Sequence, residues 1–188
     1  MTTPAPELTE TRAWVDRAVI GLNLCPFAKA PQAKGLVRYV LTDAADTEAL
    51  FTALCDELQT LAAAEPEAIE TTLLVHPKVL IEFEDYNDFL DMADAAVDVL
   101  GLAGEFQIAS FHPHYRFDGT SEDDLSNATN RSPYPMLQLL REHSVSAAVE
   151  AFADPAHIYE RNVATLESLG AAGWHDLQAA CRRDAASD

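Results

Sequence analysis

Thr71-Thr-Leu-Leu-Val75-His76-Pro77 and Glu105-Phe-Gln-Ile-Ala-Ser-Phe111-His112-Pro113 decide how this chain reads. Each is a short apolar run that stops at a His-Pro pair. A run of this length bounded by turn residues reads as a strand, and Thr71 to Val75 is apolar enough to be buried on both faces. The proline fixes the chain's exit and biases the histidine before it toward extended geometry, which suits a side chain that must be aimed.

Working outward, residues 79 to 83 read as a short edge strand or an extended link. Asp85 with Asp88 then opens a helix on Phe89, Ala93, Val97 and Leu100, closed by Gly101 and Gly104. Upstream, residues 35 to 42 are rich in β-branched and aromatic side chains and read as a strand. Asp43 and Asp46 supply turn and cap chemistry for a helix over residues 47 to 64, lined by Leu50, Leu54, Leu58 and Leu61. Residues 8 to 22 read as an amphipathic helix, and 27 to 34 as a loop. Strand and helix alternate from 35 to 111, so the expected fold class is α/β: a small, mainly parallel sheet with a βαβαβ core, right-handed crossovers and flanking helices.

Beyond the third strand, residues 114 to 131 form a long polar loop. Ser132 followed by Pro133 looks like a cap and first helical position, so a helix is expected to run from there toward Val149. Asp154-Pro155 repeats that start for a last helix on Tyr159, Val163, Leu166 and Leu169, ended by Gly170 and Gly173. Residues 1–7 and 182–188 are expected to fray.

A chain of 188 residues fits one domain, residues 1–188, that buries roughly 70% of its unfolded surface without a disulfide or structural metal. With 12 basic against 31 acidic side chains and a net charge of −19, nucleic acid and membrane surfaces are excluded as favoured partners, because both are held largely by Lys and Arg. The start of the chain has neither a basic nor a long apolar segment of a secretory signal, so the expected location is cytoplasmic. Three widely spaced cysteines, Cys25, Cys55 and Cys181, fit reduced thiols better than a disulfide framework or paired zinc ligands. Oligomeric state is not legible.

Candidate chemistry collects where the strands end, since ligands of open parallel sheets bind beyond the carboxyl ends of the strands. If the second and third strands are parallel neighbours, His76 and His112 emerge at one edge. One reading is a divalent transition-metal site on His76, His112, His114 and Asp118. Another uses His76 and His112 as acid/base groups, with Tyr115 as a hydrogen-bond donor beside them. The plainer alternative makes both histidines strand-end residues whose ring nitrogens satisfy backbone carbonyls. Lys78, Arg116 and Arg131 stand in the same loops, and Arg131 with Ser132 and the expected helix start would hold an anion; Asn127 and Asn130 complete that set. Against this, Arg116 and Arg131 would serve equally to neutralise Asp118, Asp123 and Asp124. Cys25, near Lys29 and Lys34, is a candidate reactive thiol, but a helix C-terminus beside it disfavours the thiolate. The alternation of Phe111, Tyr115 and Phe117 continues a strand or walls a pocket.

Asn23-Leu-Cys-Pro-Phe-Ala28, Ser110-Phe-His-Pro-His-Tyr-Arg-Phe-Asp-Gly-Thr120 and Asn127-Ala-Thr-Asn-Arg-Ser-Pro-Tyr-Pro135 together resemble the bacterial and plastid-lineage proteins grouped as domain of unknown function 1415. The likeness runs from about residue 14 to residue 174. It implies a free-standing domain and carries no activity. The residues themselves favour a small enzyme acting on an anionic small molecule through the histidine loops; the alternative is a non-catalytic protein that binds a metal or metabolite there.

Overall fold

The computed structural model describes residues 5–151 and 157–186. Helix α1 (Pro6–Trp14) opens with a proline in its first turn, where a missing N–H costs nothing. It then widens into a π-helical segment, Val15–Ile20, so the helix expected over 8 to 22 is present but wound two ways. At the exit stands Gly21, where any Cβ would collide with the Arg17 carbonyl. A short helix α2 (Lys29–Ala33) occupies the expected loop, and strand β1 (Val37–Leu41) follows. Helix α3 (Thr47–Ala63) is capped as its sequence suggests, Asp46 Oδ1 accepting from the Ala49 N–H at 2.8 Å.

Strand β2 (Thr71–Val75) is buried throughout. The piece after it is a turn and link, with Leu80 in the left-handed region at φ 56°, and helix α4 (Phe83–Val99) begins before the expected aspartates. After strand β3 (Phe106–Phe111), the polar loop contains a 3-10 helix, Leu125–Asn130.

The main departure comes next. Ser132 caps no helix: its hydroxyl donates to the Tyr134 carbonyl at 2.6 Å, and the chain enters strand β4 (Met136–Arg141). Helix α5 (Glu142–Ala151) begins only where the strand ends. The cap expected at Asp154-Pro155 lies outside the described residues. Helix α6 (Ile158–Ala185) is not ended by glycine; Gly170 (φ 71°) kinks it and the chain returns to helix. The tail expected to fray is therefore helical to Ala185, and Cys181 is 1% exposed within the core.

The four strands lie in the order β1-β2-β4-β3. The α/β class holds, but the sheet is not mainly parallel: β1 and β2 pair parallel, whereas β4 pairs antiparallel with both β2 and β3. It is a split arrangement, in which the β2-α4-β3 crossover leaves a gap that β4 fills from the opposite direction. Because β2 and β3 are each antiparallel to β4, they run in the same direction without touching. His76 and His112 accordingly leave the sheet at the same edge.

The sheet separates two apolar layers. Leu74, Leu137 and Leu139 face α3 and α4, whose Leu50, Leu54, Leu58, Tyr86 and Phe89 are sealed against them. Leu73, Val75 and Met136 face Trp14, Ala18, Leu166 and Trp174 on the other side. Alternation along each strand assigns one residue to each layer in turn. Among the described residues, no helix is long and apolar enough to cross a membrane.

Arg141, at the end of β4, ties the two ends of α3's neighbourhood together. Its Nη2 donates to the carbonyls of Leu61 at 2.8 Å and Ala64 at 2.7 Å, and its Nε to Ile69 at 3.3 Å, while the guanidinium carbon lies 5.5 Å from the centre of the Phe106 ring. The carbonyls lie in the last turn of α3 and in the link that follows it, where intrahelical donors run out. We expect Arg141→Met to lower the urea midpoint by an amount equivalent to about 2 kcal/mol, since charge-assisted hydrogen bonds are lost while the apolar stem is kept; an unchanged midpoint would show that water replaces the guanidinium without cost.

Candidate functional site

At the carboxyl edge of the sheet, both His-Pro pairs converge on one feature, the link between β2 and α4. His76 Nδ1 lies 3.1 Å from the Val79 carbonyl and His112 Nε2 lies 3.1 Å from the Leu80 carbonyl. A carbonyl only accepts, so both nitrogens carry the proton. His112 Nδ1 in turn accepts from the His114 N–H at 3.0 Å, which commits both of its ring nitrogens. The two rings thereby hold the carbonyls on either side of the left-handed Leu80.

Tyr86 stands between them. Its ring centre is 5.9 Å from that of His76 and 5.0 Å from that of His112, and its hydroxyl donates to the Met136 carbonyl at 2.8 Å while accepting from the Phe111 N–H at 3.0 Å. One phenol thus ties the ends of β3 and β4 to α4. Burial pushes that phenol far above its ordinary range. His76 and His112 are each 0% exposed. Phe83 closes the cluster over His112 and Tyr115.

The remaining expected site residues are dispersed or engaged. His114 and Asp118 are exposed, and among the described residues no group of three or more His, Cys, Asp or Glu side chains is assembled to hold a metal ion. Tyr115 has its hydroxyl 3.5 Å from Ser110 Oγ. Lys78 pairs with Asp43 at 2.6 Å and Arg116 with Glu84 at 3.2 Å, all at the surface. Arg131 donates to the carbonyls of Tyr115 and Glu122. Asn127 is buried and accepts from the Phe117 N–H and the Thr120 hydroxyl while donating to Ser121 O. Asn130 donates to Ser110 O. With Ser132 outside any helix, no helix N-terminus stands behind Arg131. These side chains hold the 114–131 loop in shape.

A different site lies on the opposite face of the sheet. A cleft of about 430 Å³ opens between the floor of β2, β3 and β4 and a roof built from the π-helical segment, the loop after it and α5. Its walls are mainly apolar: Val15, Val19, Leu24, Phe27, Leu73 and Phe111. Trp14 and Thr129 also line it, and their Nε1 and Oγ1 atoms are buried without a protein partner. Cys25 lines the same cleft, and burial pushes its thiol up, away from the thiolate that nucleophilic use requires. Sequence reasoning missed this cleft because it depends on β4. The available signal was Gln138, a lone polar residue between Leu137 and Leu139 that only a strand would set on its own face.

The fold and its two sites define an α/β protein with one sealed, histidine-rich sheet edge and one open apolar cleft. The chain belongs to the family described as Protein of unknown function (DUF1415), whose model matches residues 7–176. No curated protein and no solved structure matches the chain.

Burial pulls the His76 imidazole down from its ordinary 6.5 to about 4, with the Val79 bond opposing and His112 adding to the shift; burial lowers His112 as well. In the window between those two values the unfolded chain binds more protons than the folded one, so stability falls as pH is lowered through it and is unaffected above it. Going from about pH 7 to about pH 4.5, wild type should lose about 2 to 3 kcal/mol more than His76→Phe, as measured by urea unfolding. Parallel pH profiles for the two proteins would contradict a neutral, buried His76.

Proposed function

We propose that this protein binds a metabolite-sized, largely apolar ligand in the cleft between the sheet and the π-helical segment, without turnover. The observation that carries this reading is a mainly apolar cleft walled by Val15, Val19, Leu24, Phe27, Leu73 and Phe111 over a sheet floor that includes the polar Gln138. The cleft's volume, about 430 Å³, lies within the range of small-molecule sites. A π-helical segment, rare in proteins and frequent beside functional sites, provides Val15 and Val19 of the wall.

The histidine edge supports the reading indirectly. With both rings neutral and hydrogen-bonded to the link before α4, the groups that would perform acid/base chemistry are held on the far side of the sheet from the cleft.

Nile red, an uncharged dye whose emission shifts to the blue in apolar surroundings, tests the proposal. The expected result is saturable binding of one dye per chain, weakened at least about tenfold by Ala148→Trp, which places a large ring in the cleft from α5. Absence of saturable binding, or equal binding by the filled variant, would refute it.

A further inference from the structure

The floor of the cleft specifies what kind of ligand it takes. Along β4, Leu137 and Leu139 belong to the α3 and α4 layer, so Gln138 between them faces the cleft, which it lines. It sits in register with Leu73 of β2 and Ala109 of β3, an apolar setting for an amide. Gln138 Nε2 is 3.1 Å from Thr71 Oγ1, and the Thr71 hydroxyl donates to the Leu139 carbonyl at 2.7 Å.

Those two bonds fix the amide's orientation. Thr71 has a single hydroxyl proton, and it is committed to a carbonyl that only accepts; Thr71 Oγ1 must then accept from Gln138, which must present its NH2 there. The opposite orientation would set two acceptors face to face. Gln138 Oε1 is consequently held away from Thr71, accepting from no protein group among the described residues. The cleft thus offers a fixed acceptor on its floor.

Charge completes the specification. The only basic side chain among the described residues lining the cleft is Arg141, and its guanidinium is turned to the other face, bonded to the carbonyls of Leu61, Ala64 and Ile69. The acidic Glu70 also lines it, and burial pushes the Cys25 thiol up, away from the thiolate. In a protein of net charge −19, a carboxylate or phosphate entering this cleft would meet no counter-charge.

Resting on the cleft as the ligand site, we infer that the ligand is uncharged and carries a hydrogen-bond donor, a hydroxyl or an N–H, on an apolar frame, with Gln138 Oε1 as the group that selects it.

Three matched probes decide this by calorimetric titration of the intact protein: 2-naphthol, which has the donor; 2-methoxynaphthalene, which lacks it; and 2-naphthoate, which is anionic. The expected order is naphthol tighter than methoxynaphthalene by roughly fivefold to tenfold, with naphthoate weakest. In Gln138→Leu, naphthol and methoxynaphthalene should bind within about a factor of two of each other. Equal affinities for those two in wild type, or naphthoate binding tightest, would overturn the ligand class while leaving the cleft as a site. No binding of any of the three by wild type would overturn the cleft itself. The wild-type comparison stands even if the variant fails to fold.

Discussion

Strand β4 is hydrogen-bonded along both edges, to β2 on one side and β3 on the other, and everything else in the structure is arranged around that double pairing. A strand in this position has no free backbone face and two side-chain faces to fill. Leu137 and Leu139 meet the wall of α3 and α4, and Met136 meets the layer of Trp14 and Leu166. The polar member of the row, Gln138, requires partners in an apolar layer, and Thr71 on the neighbouring strand supplies one of them. The same strand ends in Arg141, which reaches across to cap α3. Its other end is anchored by the Tyr86 hydroxyl on the Met136 carbonyl.

The two His-Pro pairs share a place because β2 and β3 run in the same direction, and one ring nitrogen of each histidine bonds to the same turn. The link between β2 and α4 must turn sharply enough to put Leu80 in a left-handed conformation, a costly geometry for a residue other than glycine. Two imidazoles, each donating to a carbonyl beside that residue, over-determine the turn. Neutral histidine is well suited to this, presenting one donor and one acceptor without the desolvation cost of a charge. That suitability is also why burial depresses the affinity of His76 for a proton.

How much of this could be read from residues alone follows the range of the forces involved. The leucine ladder of α3, its Asp46 cap and the buried run Thr71 to Val75 are local patterns, and the elements stand where the patterns put them. The common exit of His76 and His112 was legible too, because it depends on strand direction. The identity of β4 was not: Met136 to Arg141 is rich in leucine, a good helix former, and Ser132-Pro133 mimics a helix start. Pairing on both edges, a long-range effect, overrides that preference. With a strand there, no helix start stands behind Arg131, and the polar loop side chains bond to the loop's own backbone, Asn127 and Arg131 above all. The cleft escaped notice for the same reason, since its floor exists only when Gln138 and Thr71 are neighbours across a sheet.

A ligand seated in the cleft would lie against Trp14, which lines it. Trp174, buried at 5% exposure in the same layer but absent from the cleft lining, is a built-in control. The most direct measurement is the pair of indole 15N–1H resonances, assigned with Trp174→Phe, during titration with 2-naphthol. Occupancy of the cleft moves the Trp14 resonance progressively and saturably, because the probe lies against that residue, while the Trp174 resonance stays in place. A Trp14 resonance that does not move at saturating probe, or two resonances that move together, would contradict it.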